Sequence, residues 1–173
     1  LGIWYIPFMM IFIIGTVNAV NLTDGLDGLA SGVTLIVSCF FILFAVSISN
    51  SDVAILAAAT AGACLGFLGF NAYPAKVFMG DTGSMALGGA VVAFATLTNS
   101  PLLIVIVGFI YLAEALSVMI QVTYFKLTNG KRIFKMAPLH HHFEQCGWPE
   151  TRVVFIFWIA TVVLCWIGVL AVF

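Results

Sequence analysis

The chain has 173 residues, of which 63% are hydrophobic and 8% are charged, and its formal net charge is −1. The mean hydropathy is +1.19. An ordinary soluble domain has about 25% charged residues, so this composition excludes that class. The four cysteines form no C-x-x-C pair and three of them lie in apolar runs. Neither a disulfide framework nor a structural zinc site is therefore expected.

Six apolar runs of about membrane-spanning length divide the chain. They cover residues 1–17, 29–49, 53–70, 84–98, 102–125 and 153–173. Because hydrocarbon cannot satisfy an unpaired backbone, each run is predicted to be a helix. The predicted fold is an all-α polytopic membrane protein, with residues 1–173 as a single membrane domain. Since the chain begins at Leu1 inside one apolar run and ends inside another, we expect a fragment of a longer protein.

Charge is concentrated on one side of the predicted helices. Loops 18–28, 71–83 and 126–152 share that side and contain all six lysines and arginines. The turns near residues 50–52 and 99–101, on the other side, contain none. Basic residues mark cytoplasmic loops, so the three long loops are predicted to face the cytoplasm. They also hold all three histidines and most of the acidic residues, which makes them the candidate site.

The first long loop places Asp24 and Asp27 next to glycines, immediately before the second apolar run. Glycine permits close approach of the backbone to a ligand, and the N-terminus of the following helix favours an anion. Either aspartate could instead cap this helix. One cap accounts for only one aspartate, so the pair, with Asn18 and Asn21 nearby, favours ligand binding.

The second long loop repeats this pattern at Asp81, for which Ser84 is a competing helix cap. Two loops of similar design could bring Asp24, Asp27 and Asp81 around one site. Their carboxylate oxygens suit Mg²⁺, which is usually held by one or two carboxylates together with substrate phosphates. Phe78 could stack on a nucleotide base or could anchor the loop in the membrane interface, and both interpretations stay open.

The third long loop contains His140, His141 and His142 in succession. Successive side chains point in different directions, so the three are not expected to bind one metal ion. Histidines can donate to phosphate oxygens or move protons near pH 7. A nearby basic cluster could attract a phosphate or anionic headgroups, or could simply set the topology. It consists of Lys131, Arg132 and Lys135.

Glu114 lies near the middle of the fifth apolar run, where an ionisable group is costly and is a candidate for function. Gln121, seven positions later, lies on about the same helix face. The sequence does not decide whether Glu114, Gln121 and His142 are functional or structural.

Four stretches together indicate a family. They are NAVNLTDGLDGLA (18–30), FNAYPAKVFMGDTGSMALGG (70–89), YFKLTNGKRIFKMAPLHHHFE (124–144) and GWPETRV (147–153). In this order, and with these spans between them, they resemble the phospho-N-acetylmuramoyl-pentapeptide-transferase family of the polyprenyl-phosphate hexose-1-phosphate transferase superfamily. The chain matches the last six spans of that family's ten-helix fold.

The resemblance implies a reaction in the bacterial inner membrane, with the active site on its cytoplasmic face. Phospho-MurNAc-pentapeptide is transferred from UDP-MurNAc-pentapeptide to undecaprenyl phosphate, giving lipid I and UMP for peptidoglycan synthesis, with Mg²⁺ as cofactor. Membrane lipids are further expected partners and nucleic acid is not, while the question of a homodimer stays open. The resemblance implies a further cytoplasmic aspartate pair in the family's earlier half, so this chain alone is predicted to be inactive or severely impaired.

The resemblance also assigns residues. Asp81 is implied to be a catalytic residue and the magnesium ligand, with His140 and His141 near the diphosphate as further catalytic residues and His142 a weaker candidate. Phe78 is implied to stack on uracil. The full set implied to bind substrate is Asn21, Asp24, Gly25, Leu26, Asp27, Asn71 and Phe78.

Three other functions remain as alternatives. A transferase of GlcNAc-1-phosphate to polyprenyl phosphate shares the aspartate loops, although PLHHHFE favours the muramoyl family. An intramembrane aspartyl protease is suggested by FMGD, which resembles an incomplete G-x-G-D motif. An ion-coupled transporter is suggested by Glu114.

Overall fold

The computed structural model of the protein describes residues 2–172, which form helices joined by loops, with no strand among them. The elements are a 3-10 helix (Gly2–Trp4), α1 (Tyr5–Thr23), α2 (Leu29–Ser47), α3 (Ser51–Asn71), α4 (Gly80–Leu97), α5 (Leu103–Val107), α6 (Phe109–Leu127), α7 (Leu139–Gln145) and α8 (Glu150–Val172). The predicted all-α class is confirmed.

Five helices are long and apolar enough to cross a membrane, namely α1 with the preceding 3-10 helix, α2, α3, α6 and α8. The sequence predicted a sixth span, which corresponds to the 18 residues of α4. A helix of this length rises about 27 Å, close to the thickness of the hydrocarbon core. The α4 helix falls outside the five because its first turns, Gly80 to Ser84, are polar.

Two helices, α1 and α4, extend furthest beyond their apolar runs towards the long loops. The α1 helix continues to Thr23, whose Oγ1 donates to the Ala19 carbonyl oxygen at 2.8 Å. The α4 helix already begins at Gly80, and Ser84 Oγ donates to the Gly80 carbonyl oxygen at 3.1 Å. These side chains satisfy their hydrogen bonds on their own helix, so polar residues extend the helices past the apolar runs. Asp81 consequently lies in the first turn of α4.

The fifth predicted span, residues 102–125, is divided into α5 and α6 at Gly108. The Gly108 amide donates to the Ile104 carbonyl oxygen at 2.9 Å, and a Cβ on Gly108 would also come within 2.9 Å of that oxygen. The backbone therefore turns tightly at a position that only glycine fits without displacing α5.

The α2 helix lies at the centre of the fold, in contact with α3, α4 and α8, while α1 packs against α4 and α6. Its residues Val33, Val37 and Phe41 have no exposed surface. The Phe41 ring packs 5.5 Å from the ring of Phe94 on α4. This apolar packing holds α2 against α4. The first aspartate loop precedes the N-terminus of α2, and the second precedes the N-terminus of α4.

Large apolar side chains cover the outer surfaces of the long helices. Examples are Ile11 on α1, Leu65 on α3 and Trp166 on α8, which are 74%, 63% and 64% exposed. Extensive apolar exposure is a liability in water and is expected for surfaces that face lipid. With the five apolar helices, it shows a multi-pass membrane protein.

The three long loops contact one another at one end of the helices, and two short turns meet at the other end. There, Asn50 accepts from the Val53 amide at 3.2 Å and donates through Nδ2 to the Leu97 carbonyl oxygen at 3.3 Å. All the basic residues lie at the long-loop end, as the sequence indicated. That this end is cytoplasmic remains a prediction.

Candidate functional site

The site is built at the crossing of α1 and α4. Gly88 lies against the α1 backbone, where an added Cβ would come within 2.8 Å of the Val17 Cα atom. Small residues permit such close helix contacts in membranes. One turn nearer the long loops, Asn21 Nδ2 donates to Ser84 Oγ at 2.8 Å and to Asp81 Oδ1 at 3.1 Å. This contact holds Asp81 beside the first aspartate loop.

A cavity of about 230 Å³ lies between the first and second aspartate loops. It is lined by Asp24, Gly25, Leu26, Asp27, Asn71, Phe78, Gly80 and Asp81. The structure thus places six of the seven residues assigned to substrate binding on the wall of one cavity, and the seventh, Asn21, on Asp81. Their roles in binding remain predictions.

Asp27 joins three parts of the chain. Its Oδ2 accepts from the Ala75 amide of the second loop at 2.8 Å, and its own amide donates to Glu150 Oε1 at the start of α8, at 2.7 Å. One of its carboxylate oxygens is therefore occupied in positioning the loops. Asp27 therefore has only one carboxylate oxygen without this hydrogen bond, which makes it less suited to binding a metal ion.

Asn71, at the end of α3, lines the cavity and joins the same two loops. Its Oδ1 accepts from the Gly28 amide at 3.1 Å and from Ser31 Oγ at 2.9 Å. Its Nδ2 donates to the Val77 carbonyl oxygen at 3.0 Å. Since the Asn71 side chain is only 4% exposed and both of its ends are hydrogen-bonded, it is suited to shaping the cavity.

Asp24 and Asp81 create a negative potential in the cavity. Partial burial raises the pKa of the Asp24 carboxyl group above its usual value, and the nearby Asp81 carboxylate raises it further. Within residues 2–172, no lysine or arginine forms an ion pair with either aspartate. Two close carboxylates without a basic partner favour the binding of a cation.

The cavity offers Mg²⁺ two carboxylates, those of Asp24 and Asp81, and so only part of a coordination shell. Carboxylate oxygens are the ligands it prefers, but the described part of the chain holds no group of three acidic, histidine or cysteine side chains arranged for a metal ion. Mg²⁺ is commonly bound by one or two carboxylates, with waters and substrate phosphates completing its shell. Asp81 and Asp24 fit that arrangement, in which the substrate supplies the remaining ligands.

Phe78 lies at the mouth of the cavity with 75% of its surface exposed. An aromatic ring held at the rim of a polar cavity can stack on a planar base. The same exposure is compatible with an anchoring role in the membrane interface, so its function stays a prediction.

The three histidines have three different environments. His140 is 1% exposed and lies against Glu114, outside the cavity wall. His141 is 30% exposed, and its Nδ1 lies 2.7 Å from Glu144 Oε2. His142 Nδ1 accepts from the Lys135 amide at 3.1 Å. Of the two predicted catalytic histidines, His141 is the more accessible to a ligand.

Gln121 organises the third loop. Its Oε1 accepts from the amides of Ile133 and Phe134 at 3.1 and 2.8 Å, which fixes the chain after α6. Gln121 also lines a separate cavity of about 410 Å³, together with Lys126 and Arg132. The two hydrogen bonds to the third loop give Gln121 a structural role and explain why a polar side chain lies at this position of α6.

Glu150 and Gly80 contribute to the site although sequence reasoning did not single them out. Gly80 lines the cavity and has a φ of +61°, a conformation that favours glycine. Glu150 accepts from the Asp27 amide, 123 residues away in the chain. The position of Gly80 directly before Asp81 could have indicated its role, whereas no local pattern indicates the Glu150 contact.

The fold and the site define a polytopic membrane protein with an acidic cavity formed by the loops at one end of its helices. The sequence identifies the family of this protein, because the family model described as glycosyl transferase family 4 matches residues 1–99. The chain belongs to this family.

Several curated relatives are similar over nearly the whole chain. A phospho-N-acetylmuramoyl-pentapeptide-transferase of Clostridioides difficile strain 630 is 78% identical over 99% of this chain and 53% of that protein. Proteins of the same name from Acetivibrio thermocellus and Clostridium botulinum strain Eklund 17B are 60% and 58% identical, each over 99% of this chain and 52% of its own length. The chain spans about half the length of the curated relatives it matches.

Proposed function

We propose that this chain forms the carboxyl-terminal part of an enzyme that transfers phospho-MurNAc-pentapeptide from its UDP carrier to undecaprenyl phosphate. The products are lipid I and UMP, and the reaction belongs to peptidoglycan synthesis. The observation that carries the proposal is the cavity shared by Asp24, Phe78 and Asp81 at the end of membrane helices. The names of the relatives support phospho-N-acetylmuramoyl-pentapeptide as the transferred group.

In this reaction, an oxygen of the lipid phosphate attacks the sugar-linked phosphorus of the UDP substrate. A new phosphorus–oxygen bond forms and the bond to the bridging oxygen breaks, so UMP leaves with that oxygen. Phosphoryl transfer depends mainly on positioning and charge neutralisation. Mg²⁺, held by Asp81 and Asp24, would neutralise phosphate charge in this site.

The remaining residues would position the nucleotide. Phe78 would stack on uracil at the mouth of the cavity, and the backbone at Gly25 and Leu26 would approach the nucleoside closely. Asp27 would keep the two aspartate loops in register through its contacts with Ala75 and Glu150. The bacterial inner membrane, with the cavity facing the cytoplasm, is the proposed location, because the basic residues lie at that end.

Two other classes receive less support from the site. A transporter would use Glu114 in a pathway, but this carboxyl group is fully buried against His140. An intramembrane protease would need aspartates within the membrane, whereas Asp24 follows α1 and Asp81 lies in the first turn of α4.

The test is a transfer assay with the whole protein that contains this chain, in detergent with undecaprenyl phosphate. We expect a lipid-linked product and UMP from UDP-MurNAc-pentapeptide when Mg²⁺ is present, and loss of both when EDTA removes divalent cations. UDP-GlcNAc serves as the matched donor. Product from UDP-GlcNAc alone would reject the proposal in favour of the GlcNAc-1-phosphate transferase.

A further inference from the structure

Glu114 is a carboxyl group with no exposed surface in the second turn of α6. Such a group is costly in a membrane helix unless it has a partner. Its Oε2 lies 3.1 Å from His140 Nδ1, which belongs to α7 in the third long loop. The pair therefore connects a membrane-spanning helix to the loop end of the molecule.

His140 contacts the first aspartate loop with the opposite edge of its ring. The imidazole lies against Gly25, and a Cβ at Gly25 would collide with the ring at Nε2 and Cε1. His140 is 1% exposed, and its Nε2 has no hydrogen-bond partner among the residues that the structure describes. The ring is thus held at Nδ1 and abuts the loop at its other edge.

Gly25 lies between Asp24 and Leu26, and all three line the cavity. A shift of the His140 ring would therefore change the space available to this loop. Packed side chains transmit such displacements because protein interiors have few voids. The path runs from Glu114 through His140 to the backbone that carries Asp24.

We propose that Glu114 is a positioning residue that acts through His140 to hold the loop of residues 24–27 beside Asp81. Glu114 fixes the orientation of the His140 imidazole. The imidazole in turn limits how far the backbone at Gly25 can move away from the cavity. This inference rests on the proposed function for its effect on nucleotide binding. The mechanical coupling itself can be measured without turnover.

The experiment uses the whole protein with Glu114→Leu and Glu114→Gln. Tyr111→Phe is the matched control, because Tyr111 is another buried polar residue of α6, hydrogen-bonded to Thr34 at 2.8 Å and away from the loop. The measurements are UMP affinity, KM for the UDP substrate and kcat per folded enzyme, and amide hydrogen exchange at residues 24–28.

Glu114→Leu is expected to weaken UMP binding and to raise KM by about tenfold, because binding must then order a loop that His140 no longer holds, at a cost comparable to one lost hydrogen bond. Exchange at residues 24–28 should become faster. Glu114→Gln should recover most of the affinity, because the amide oxygen can still accept from His140 Nδ1. Tyr111→Phe should lower the melting temperature without changing KM. His140→Leu should match Glu114→Leu in UMP affinity, and the double variant should be no worse.

Unchanged UMP affinity and loop exchange in folded Glu114→Leu would overturn the proposal and leave the pair a purely structural contact. If that variant does not fold, Gly25→Ala tests the same contact from the loop side, and unchanged exchange there would equally overturn it. If wild-type protein forms no lipid product while loop exchange still depends on Glu114, the proposed function fails and the coupling stands.

Discussion

At the scale of single residues, the site depends on two carboxylates that repel each other. Partial burial and the neighbouring Asp81 raise the pKa of Asp24, and the described chain supplies no basic partner. Functional sites often retain such unfavourable arrangements because a ligand relieves them. Both residues were selected from the sequence for their types and flanking glycines, but their repulsion became evident only from the structure.

Asp81→Asn is expected to abolish transfer in the whole protein, because the amide keeps the shape of the side chain but loses the charge that would hold Mg²⁺. Asp52→Asn is the control, since Asp52 lies in the first turn of α3 at the opposite end of the molecule. Product formation and membrane insertion are measured for both. Transfer at the wild-type rate would remove Asp81 from the metal site.

Asp24→Asn is expected to raise the melting temperature in the absence of divalent cations, because it removes a partly buried charge beside Asp81. The same variant should lose the stabilisation that added Mg²⁺ and UMP give the wild type. Thermal unfolding with and without these ligands measures both effects. A lower melting temperature without ligand would show that the Asp24 charge stabilises the loop.

Phe78→Ala should weaken uridine nucleotide binding by about 1–3 kcal/mol, the value found when an aromatic side chain that stacks on a base is removed. Phe155→Ala on α8 is the control, because Phe155 is similarly exposed at 60% but is not one of the residues that line the cavity. Titration with UMP gives the affinity. Equal affinity in both variants would favour the membrane-anchoring role of Phe78.

At the scale of helices, apolar runs predicted element type well and boundaries less well. Residues 18–23 were interpreted as part of a loop because Asn18, Asn21 and Thr23 interrupt the apolar run, yet the Thr23 hydroxyl group is hydrogen-bonded within α1. The division of the fifth run at Gly108 was not predicted, since the residues on either side of Gly108 are apolar and include no proline. Hydrophobicity reports where a helix meets lipid, whereas helix ends depend on hydrogen bonds that are specific to each side chain.

Gly88→Ala tests the crossing of α1 and α4. The new Cβ would come within 2.8 Å of the Val17 backbone, so the helices must separate and Asn21 should lose its reach to Ser84 and Asp81. We expect a lower melting temperature and weaker UMP binding. Gly89→Ala is the matched control, because its Cβ would meet nothing within 4 Å and alanine favours a helix by about 1 kcal/mol over glycine. Equal behaviour of the two variants would contradict the crossing as the determinant of the site.

At the scale of the whole molecule, the placement of the three long loops at one end was predicted from charge and from counting spans. The specific contacts between loops were not, because Asn71, Asp27 and Glu150 meet residues far away in the chain. Periodicity and loop composition describe neighbours along the chain. They contain no information about which distant loop a side chain will contact.

Residues 1–173 expressed alone are expected to form no lipid I, because the chain spans only about half of its relatives. The whole protein, purified in the same way, provides the control. Lipid product from the isolated chain, measured with the UDP substrate and undecaprenyl phosphate, would show that the remaining half is dispensable for chemistry.

The hydrogen bond from the Asp27 amide to Glu150 has a consequence for biosynthesis. Its two residues are 123 positions apart, and Glu150 begins the last helix that the structure describes. While the ribosome is still producing the intervening segments, the nascent aspartate loop lacks this anchor. The loop that lines the acidic cavity therefore gains its last long-range contact only after the start of α8 has been synthesised, late in the translation of residues 2–172.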